Sequence, residues 1–424
     1  MTTLHAGHSQ RSLCILTTSY PSFVRDSKRL PKGKFVHHAA KSFVSAGFAV
    51  HVVTHAEPGT ALFAKVDGVN IHRFHYFVSG WETLTSGAGI PENIRHPWCL
   101  LQVPFYFFRL FWTAYRIVQE NRIRYINAHW AFPPGFIGYL IKRMTGRTLI
   151  ITAYGAEIFP LDSGRWTFLK PFVRMSARGA DLLVAISKNT ADALERVAPG
   201  IRPKIIPDGI DTAYYSPGPP NLTLLERYKI FGRKVLFFTG RMVERKGHRY
   251  LLEAMPAVKK EHPDACLLLG GDGPLQNELE ALKRRLCLEN DVIMPGPIPE
   301  EEIVDWMRSA DLFVLPSCID SRGDTEGSAT IALEAMACGT IALVSEVGGN
   351  IGAVQEGEGA YYFPPADVEA LAGKINEILS FDTDHAIEQQ RRATLFVRNH
   401  YSWEKIVGKY LAFLSAETAD GFSE

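Results

Sequence analysis

Short apolar runs rich in β-branched and aromatic residues alternate along the chain with segments whose apolar positions recur at helical spacing. In the first half the runs are LCILTT (13–18), FAVHVVTH, RYINAH, TLIITAY and DLLVAIS, and the amphipathic segment GKFVHHAAKSFVSAG lies between the first two. The second half repeats the rhythm with KVLFFTG, ACLLLGG, DVIMPG and DLFVLPS, separated by HRYLLEAMPAVKKE, PLQNELEALKRRL and EEIVDWMRSA, and then runs into EGSATIALEAMACG. Apolar runs of this length, bounded by turn residues and alternating with helices, build a parallel sheet covered on both faces. The pattern predicts an α/β protein of two doubly wound, Rossmann-like halves.

The chain's 424 residues exceed what one core usually organises, which also favours two domains. The Pro- and Gly-dense segment KIIPDGIDTAYYSPGPP marks a linker. The expected domains are 1–215 and 216–400, with 401–424, which opens on YSWEKIVGKYLAFLSAE, as an amphipathic helix packing back toward the first.

The stretch PWCLLQVPFYFFRLFWTAYRIV (97–118) is long and aromatic enough to raise membrane insertion. Gln102, Arg109 and Arg116 recur every seventh residue as one polar stripe, and Pro104 would disturb an isolated span, so a transmembrane helix is rejected. Two readings remain: a helix largely buried in the first domain, and an interfacial helix that touches a bilayer or lipid acceptor.

Composition adds a sharper asymmetry. Residues 1–200 carry 23 Lys+Arg against 11 Asp+Glu, while residues 201–424 carry 23 against 34, a balance of +12 and −11 behind a net charge of +1. The basic half suits an anionic partner such as a phosphate-bearing acceptor or an acidic membrane surface, or else the halves steer each other. A nucleic-acid partner is not expected. Six cysteines lie apart without a CxxC pair, and no His spacing suits zinc, which fits buried thiols in a reducing compartment. The start, MTTLHAGHSQRS, lacks the features of a secretory signal, so a cytoplasmic address is expected.

The segment CIDSRGDTEGSATIALEAMACGT carries the most specific chemistry. Glu326 and Glu334 stand eight positions apart; if helical throughout, they would face one side roughly 12 Å apart and grip two ends of an extended ligand. Carboxylates at this spacing also occur on ordinary solvated helices. Here, however, a loop rich in Gly, Ser and Asp (320–325) precedes them and follows the strand DLFVLPS. Gly327 and Ser328 then open a helix N-terminus, which offers N–H groups to a phosphate or sugar oxygen. In TGRMVERKG, Gly240 provides a tight turn, and Arg241 and Lys246 are two cations suited to a diphosphate leaving group without a metal. GGDGPL, with Gly271 and Gly273, resembles a phosphate loop without the full dinucleotide fingerprint, and is read as a turn beside the nucleotide; Pro297, after DVIMPG, joins the donor-side set. In the first half, Gly33 precedes a helix and could meet the donor phosphate. His129 ends a strand, where it could contact an acceptor or handle a proton.

Together these segments resemble the family 4 glycosyltransferases, retaining enzymes of the two-domain GT-B architecture. The resemblance runs over SYPSFVRDSKRLPKGKFVHHAAKSF, VDGVNIHRFHY, GAGIPENIR, AHWAFPPG, TAYGAEIF, DLLVAISKNT, IPDGIDTAYYSP, GRMVERKG, GDGPL and DTEGSATIALEAMACGTIALVSEVGG, nearly the whole chain. It implies two Rossmann-like domains facing a central cleft, with the donor held by the second and the acceptor by the first. By position it implies Glu326 at the donor sugar, Glu334 at the ribose, Arg241 and Lys246 at the diphosphate, and Gly33 near the phosphate. It also implies front-face transfer with retained configuration and no metal or other cofactor. Two positions depart from the pattern: Tyr154 stands where relatives carry the His of T-x-H-G, and Gly348-Gly349 lead into Asn350 where relatives often have Glu. His129, Tyr154 and Glu157 are therefore the acceptor-side candidates.

The leading expectation is hexosyl transfer from a UDP- or GDP-sugar to a glycan, lipid-linked or small hydroxylated acceptor in cell-envelope or exopolysaccharide assembly, at the inner face of the membrane. The alternatives are a nonhydrolysing sugar-nucleotide 2-epimerase and a catalytically silent scaffold that binds a nucleotide-sugar.

Overall fold

The computed structural model describes residues 11–23, 33–87 and 90–420. The first ten residues, on which the expected lack of a secretory signal rests, lie outside the described residues, as do 24–32 of the front loop. The described residues fall into two units. The first comprises the chain through Ile186, Thr190–Ile206 and the residues from Val407; the second comprises Ser187–Asn189 and Pro207–Ile406. The division thus falls at Ile206/Pro207, ahead of 215. The linker's Ile210 belongs with the second unit because its N–H donates to the Tyr401 carbonyl at 2.7 Å.

The first unit is built on β1 (Ser12–Leu16), β2 (Ala49–His55), β3 (Phe63–Val66), β4 (Val69–Phe74), β5 (Tyr125–His129), β6 (Thr148–Ala153), β7 (Leu182–Ala185) and β8 (Lys204–Ile205), in the order β3-β4-β2-β1-β5-β6-β7-β8. Every pairing is parallel except β3 with β4. Strands β1, β5 and β7 are buried along their whole length, as a sheet covered by helices on both faces requires. After β4 the chain crosses back to the other side of β1, so the topological switch lies between β1 and β5. Tyr410, near the chain's end, packs edge-on against Phe43 and shares a hydrogen bond with Thr152 at 3.3 Å.

The second unit is a six-stranded, wholly parallel sheet of β9 (Lys234–Thr239), β10 (Ala265–Gly270), β11 (Val292–Gly296), β12 (Leu312–Leu315), β13 (Ile341–Ser345) and β14 (Ala360–Phe363), in the order β11-β10-β9-β12-β13-β14. Its switch lies between β9 and β12. Ligands of such sheets bind beyond the carboxyl ends of the strands at that point.

The aromatic segment of the first unit forms one helix, Pro97–Glu120. Its polar residues do not form the stripe their spacing suggests. Gln102 is fully buried: Oε1 accepts from the N–H groups of Thr83 and Leu84 at 3.1 and 3.2 Å, and Nε2 donates to the Trp81 carbonyl and Thr83 Oγ1, both at 3.0 Å. Arg109 Nε donates to the His75 carbonyl, and Arg116 pairs with Glu120. One face, with Cys99, Tyr106, Leu110, Ala114 and Ile117, enters the core, while the other presents large apolar side chains to solvent. Among the described residues no helix is long and apolar enough to cross a membrane.

Because one side chain satisfies four groups of the Trp81–Leu84 turn, Gln102→Leu should destabilise the first unit by about 2–4 kcal/mol, leaving buried backbone groups unpaired. Urea unfolding followed in the near-ultraviolet would measure the loss, and an unchanged midpoint would refute this role.

Candidate functional site

In the second unit most residues singled out in the sequence lie on the loops after β9, β10, β12 and β13, while Pro297 follows β11 and Glu334 lies within a helix. Lys246 ends a short 3-10 turn (Glu244–Lys246) after β9, and Glu326 lies in the loop after β12. The pair therefore straddles the switch. Lys246 Nζ approaches Glu326 Oε1 at 2.9 Å and Oε2 at 3.1 Å, and Ser317 Oγ donates to Oε1 at 3.1 Å. Glu326 is buried, and Lys246 is only partly exposed. A buried carboxylate gripped by an ammonium and a hydroxyl has most of its lone pairs satisfied, which such a site needs to tolerate the charge.

Backbone contacts that only glycine permits hold these loops together. A Cβ on Gly247, whose φ is +69°, would lie 1.7 Å from the Pro316 carbonyl oxygen; one on Gly271 would meet the Gly240 oxygen at 2.0 Å, and one on Gly273 the Met242 oxygen at 2.5 Å. Met242 N–H donates to the Asp272 carbonyl, so GGDGPL is locked against the TGRM loop. On the other side Gly349 N–H donates to the Glu326 carbonyl at 2.7 Å, and a Cβ there would strike the Gly327 carbonyl at 2.1 Å. The late double glycine thus supports the Glu326–Ser328 backbone. Asn350 after it turns inward, donating to the Ser345 carbonyl at 3.1 Å.

The two glutamates do not share a helix. The helix runs over Thr330–Ala337, so Glu334 lies within it while Glu326 precedes it by four residues. Gly327 forms a bend, and the helix begins only at Thr330. Glu334 is partly buried, accepts a hydrogen bond from the linker residue Tyr215, and is pushed up to about 7 by burial, with that bond acting in the opposite direction. Arg241 is exposed, and Gly240 sits beside the Lys246 side chain. Pro297 is exposed directly after β11.

Three residues here escaped the sequence reading. Ser317 sits at the carboxyl end of a strand, which is a usable signal; Tyr215 lies in a linker and gives none. Glu244, whose carboxylate accepts from Ser321 N–H and Oγ at 3.0 and 2.7 Å, braces the loop after β12.

In the first unit, Gly33 caps the helix Lys34–Ser45 at φ +70°, and a Cβ there would stand 2.3 Å from the Ser19 carbonyl oxygen, so the loop after β1 closes onto it. His129 ends β5, and its Nδ1 is 2.6 Å from the Tyr154 hydroxyl beyond β6. Phe35 and Trp130 pack on Tyr154, and Trp130 holds a φ of +78°. Glu157 Oε1 accepts from the N–H groups of Ala131 and Tyr154, tying the two loops. His129 Nε2 and Glu157 Oε2 are buried and lack a hydrogen-bond partner among the described residues. Burial drives His129 down to about 3 and raises Glu157. Burial thus favours the neutral ring of His129.

This arrangement defines a GT-B protein: two Rossmann-like α/β units, one carrying a cation–carboxylate pair at its switch point. Solved structures agree in fold. The chain matches sucrose-phosphate synthase from Thermosynechococcus elongatus with a TM-score of 0.74 at 20% identity, covering 97% of this chain and 100% of that one. It matches HepE from Anabaena, solved in complex with UDP, with a TM-score of 0.72 at 18% identity, covering 96% and 100%. The family models described as Glycosyltransferase Family 4 and Glycosyl transferases group 1 match residues 33–214 and 226–394. The chain belongs to glycosyltransferase family 4. A Mycolicibacterium smegmatis relative, GDP-mannose-dependent alpha-(1-6)-phosphatidylinositol monomannoside mannosyltransferase, is 28% identical over 272 residues, 62% of this chain and 69% of its own length. N-acetyl-alpha-D-glucosaminyl L-malate synthase from Bacillus anthracis is 25% identical over 348 residues, 80% and 88% of the two chains.

A carboxyl whose pKa rises on folding binds its proton more tightly in the native state. Glu334 therefore stabilises the fold below its ordinary value of 4.5, and that contribution is lost as pH rises through about 7. Glu334→Gln, uncharged and nearly isosteric, should flatten the decline in unfolding midpoint across this window. An unaltered pH profile of the midpoint would show that Glu334 is not held protonated by the fold.

Proposed function

We propose that the protein moves a hexosyl group, with retention of anomeric configuration, from a UDP- or GDP-sugar to a lipid-linked, glycan or small hydroxylated acceptor in cell-envelope or exopolysaccharide assembly. The observation that carries this reading is the buried Lys246–Glu326 pair at the switch point of the second unit, at 2.9 Å. Two of the relatives have names that include a nucleotide donor or a lipid acceptor, and they support the donor class and the envelope role.

In this reading the donor diphosphate lies along the loops of Gly240 and Gly273 and the helix start at Gly327 and Ser328, where backbone N–H groups and the helix dipole face its oxygens. Arg241 and Lys246 meet the charge that grows on the leaving phosphate, so the chain's own cations supply what a metal would otherwise supply. Glu326, already oriented by Lys246 and Ser317, accepts from a sugar hydroxyl, and Glu334 with Tyr215 receives the ribose. As the bond from the anomeric carbon to the phosphate oxygen breaks, the acceptor oxygen bonds to the same face of that carbon. The acceptor's proton passes to the departing phosphate oxygen, and no pair of carboxylates need flank the bond. In the first unit His129, Tyr154 and Glu157 serve the acceptor side by hydrogen bonding.

Thermal unfolding in the presence of UDP, GDP, ADP and their hexose conjugates should show one nucleobase series raising the transition, because a ligand that binds only the native state stabilises it by mass action. With the donor so chosen, Glu326→Gln should lower turnover at least about 100-fold while leaving nucleotide binding intact. Wild-type turnover by that variant would remove Glu326 from the mechanism, and an inverted product anomer by NMR would remove retention.

A further inference from the structure

We propose that Tyr215, the linker residue at Glu334, is a positioning residue: its hydroxyl aims the Glu334 carboxylate at the ribose of the nucleotide, so the seating of the linker on the second unit sets how tightly the donor is held. This rests on the reading that Glu334 receives the ribose, and it adds a control on that contact from a segment outside the donor loops.

The linker is seated by side-chain bonds at Tyr214, Tyr215 and Ser216. The Tyr214 hydroxyl donates to the Glu300 carbonyl at 2.8 Å, and the Tyr215 hydroxyl donates to Glu334. The Ser216 carbonyl accepts from Arg308 Nε at 2.8 Å, and Ser216 Oγ accepts from Arg308 Nη2 at 3.1 Å. Ahead of them Asp211 Oδ1 accepts from the N–H groups of Ala213 and Tyr214, both at 3.2 Å, which fixes the turn leading in. The Tyr214 and Tyr215 rings stand edge to face with centroids 4.9 Å apart, and Tyr215 packs on the second unit's core. Helices Glu300–Arg308 and Thr330–Ala337 therefore hold the linker between them, and the Tyr215 bond is the one that ends on a residue of the candidate donor site.

That bond matters because of where Glu334 stands. Burial pushes its carboxyl up to about 7, and the Tyr215 bond acts against the rise. Burial also holds the Tyr215 hydroxyl far above its ordinary range, so it remains a donor while Glu334 titrates. The other groups around Glu334 offer no substitute. Tyr214, from the linker, gives its proton to the Glu300 carbonyl; Cys338, one turn along the same helix, is kept a neutral thiol by burial; and Arg308, which faces Cys338, is engaged by Ser216. Behind the helix, β12 and β13 are apolar up to Ser345, and helix Thr383–Tyr401 meets it through Thr394, whose hydroxyl donates to the Met336 carbonyl. Ribose hydroxyls bond more strongly to a carboxylate than to a neutral carboxyl, because an ionised acceptor makes the shorter and stronger bond. The linker tyrosine thus favours the better accepting form of Glu334 near neutral pH. A phenylalanine at this position would fill the same space without doing so.

Calorimetric titration of the full chain with UDP, GDP and ADP between about pH 6 and about pH 9 tests this, over a range that brackets the Glu334 carboxyl. Tyr215→Phe should weaken nucleotide binding at least about threefold at the acid end and converge on wild type at the alkaline end, as loss of a donor to a charged group implies. A merely structural hydroxyl would cost the same at every pH. The nucleotide phosphates titrate alike in both proteins, so the ratio of the two affinities isolates Glu334. Tyr214→Phe, which loses the bond to the Glu300 carbonyl and keeps Tyr215, should follow the wild-type profile. If Tyr215→Phe is unfolded at the assay temperature, fluorotyrosine incorporated at position 215 alone, a more acidic donor, should shift the profile toward lower pH. An affinity ratio of one throughout, a ratio independent of pH, an unshifted fluorotyrosine profile, or a Tyr214→Phe profile displaced as far as that of Tyr215→Phe overturns the proposal. Binding of none of the nucleotides overturns it together with the donor reading. Glu334→Gln separates the two: wild-type affinity in that variant removes Glu334 from the ribose, whereas weakened binding alongside an inert Tyr215→Phe leaves the donor site standing and removes only the linker's part.

Discussion

Close approach of backbone to backbone at the carboxyl ends of the second unit's strands is the constraint on which the candidate site depends. Gly247 under Pro316, Gly271 against Gly240 and Gly349 against Gly327 each bring two chains nearer than any side chain would allow. The reward is positional. Lys246 follows one of these contacts and Glu326 lies next to another, so the ion pair is placed by the packing of four loops rather than by its own attraction. A buried ion pair gains little net stability from its charges once their desolvation is counted. It persists here because the loops hold it together and Ser317 fills a further lone pair. A site set in this way needs little rearrangement to receive charge, which is the property that electrostatic catalysis requires.

The first unit uses a different device. Its loops after β5 and β6 are joined by one carboxylate, Glu157, that bonds two backbone N–H groups, and by the contact of His129 with Tyr154. Aromatic rings from Phe35 and Trp130 enclose that contact. Burial pushes both His129 and Glu157 toward their neutral forms, in contrast to the ion pair of the second unit.

Much of this was legible in the sequence, and the failures have physical causes. Strand-helix alternation placed both sheets because parallel strands buried on both faces are uniformly apolar, as in LCILTT and KVLFFTG. Glycines at strand ends pointed to Gly271 and Gly273, because the need for a missing Cβ is written in residue type. The shared-helix geometry of the two glutamates, conditional on a helix throughout, does not hold, because spacing alone carries no mark of where a helix begins; the helix starts at Thr330, and Glu326 and Gly327 instead meet Gly349, which is distant in sequence. Tyr215 was invisible for the same reason. It reaches Glu334 only because the linker folds onto the second unit. Gln102 looked like a surface residue because a polar side chain every seventh position suggests a stripe. Its amide is instead consumed by a turn some twenty residues earlier.

The helix Pro97–Glu120 shows why periodicity can establish an element and still leave its surroundings open. Apolar residues occupy both of its faces, so the pattern of residue types does not distinguish core from surface, and burial and interfacial exposure look alike in sequence. Only the positions of its neighbours separate them: Tyr106 and Leu110 are buried in the core, while Phe105 and Phe108, one and two places away, are 48% and 62% exposed. Water around such a stripe imposes a cost of about 25 cal/mol for each Å² of apolar surface left uncovered. That cost is recovered only when another apolar phase covers the stripe.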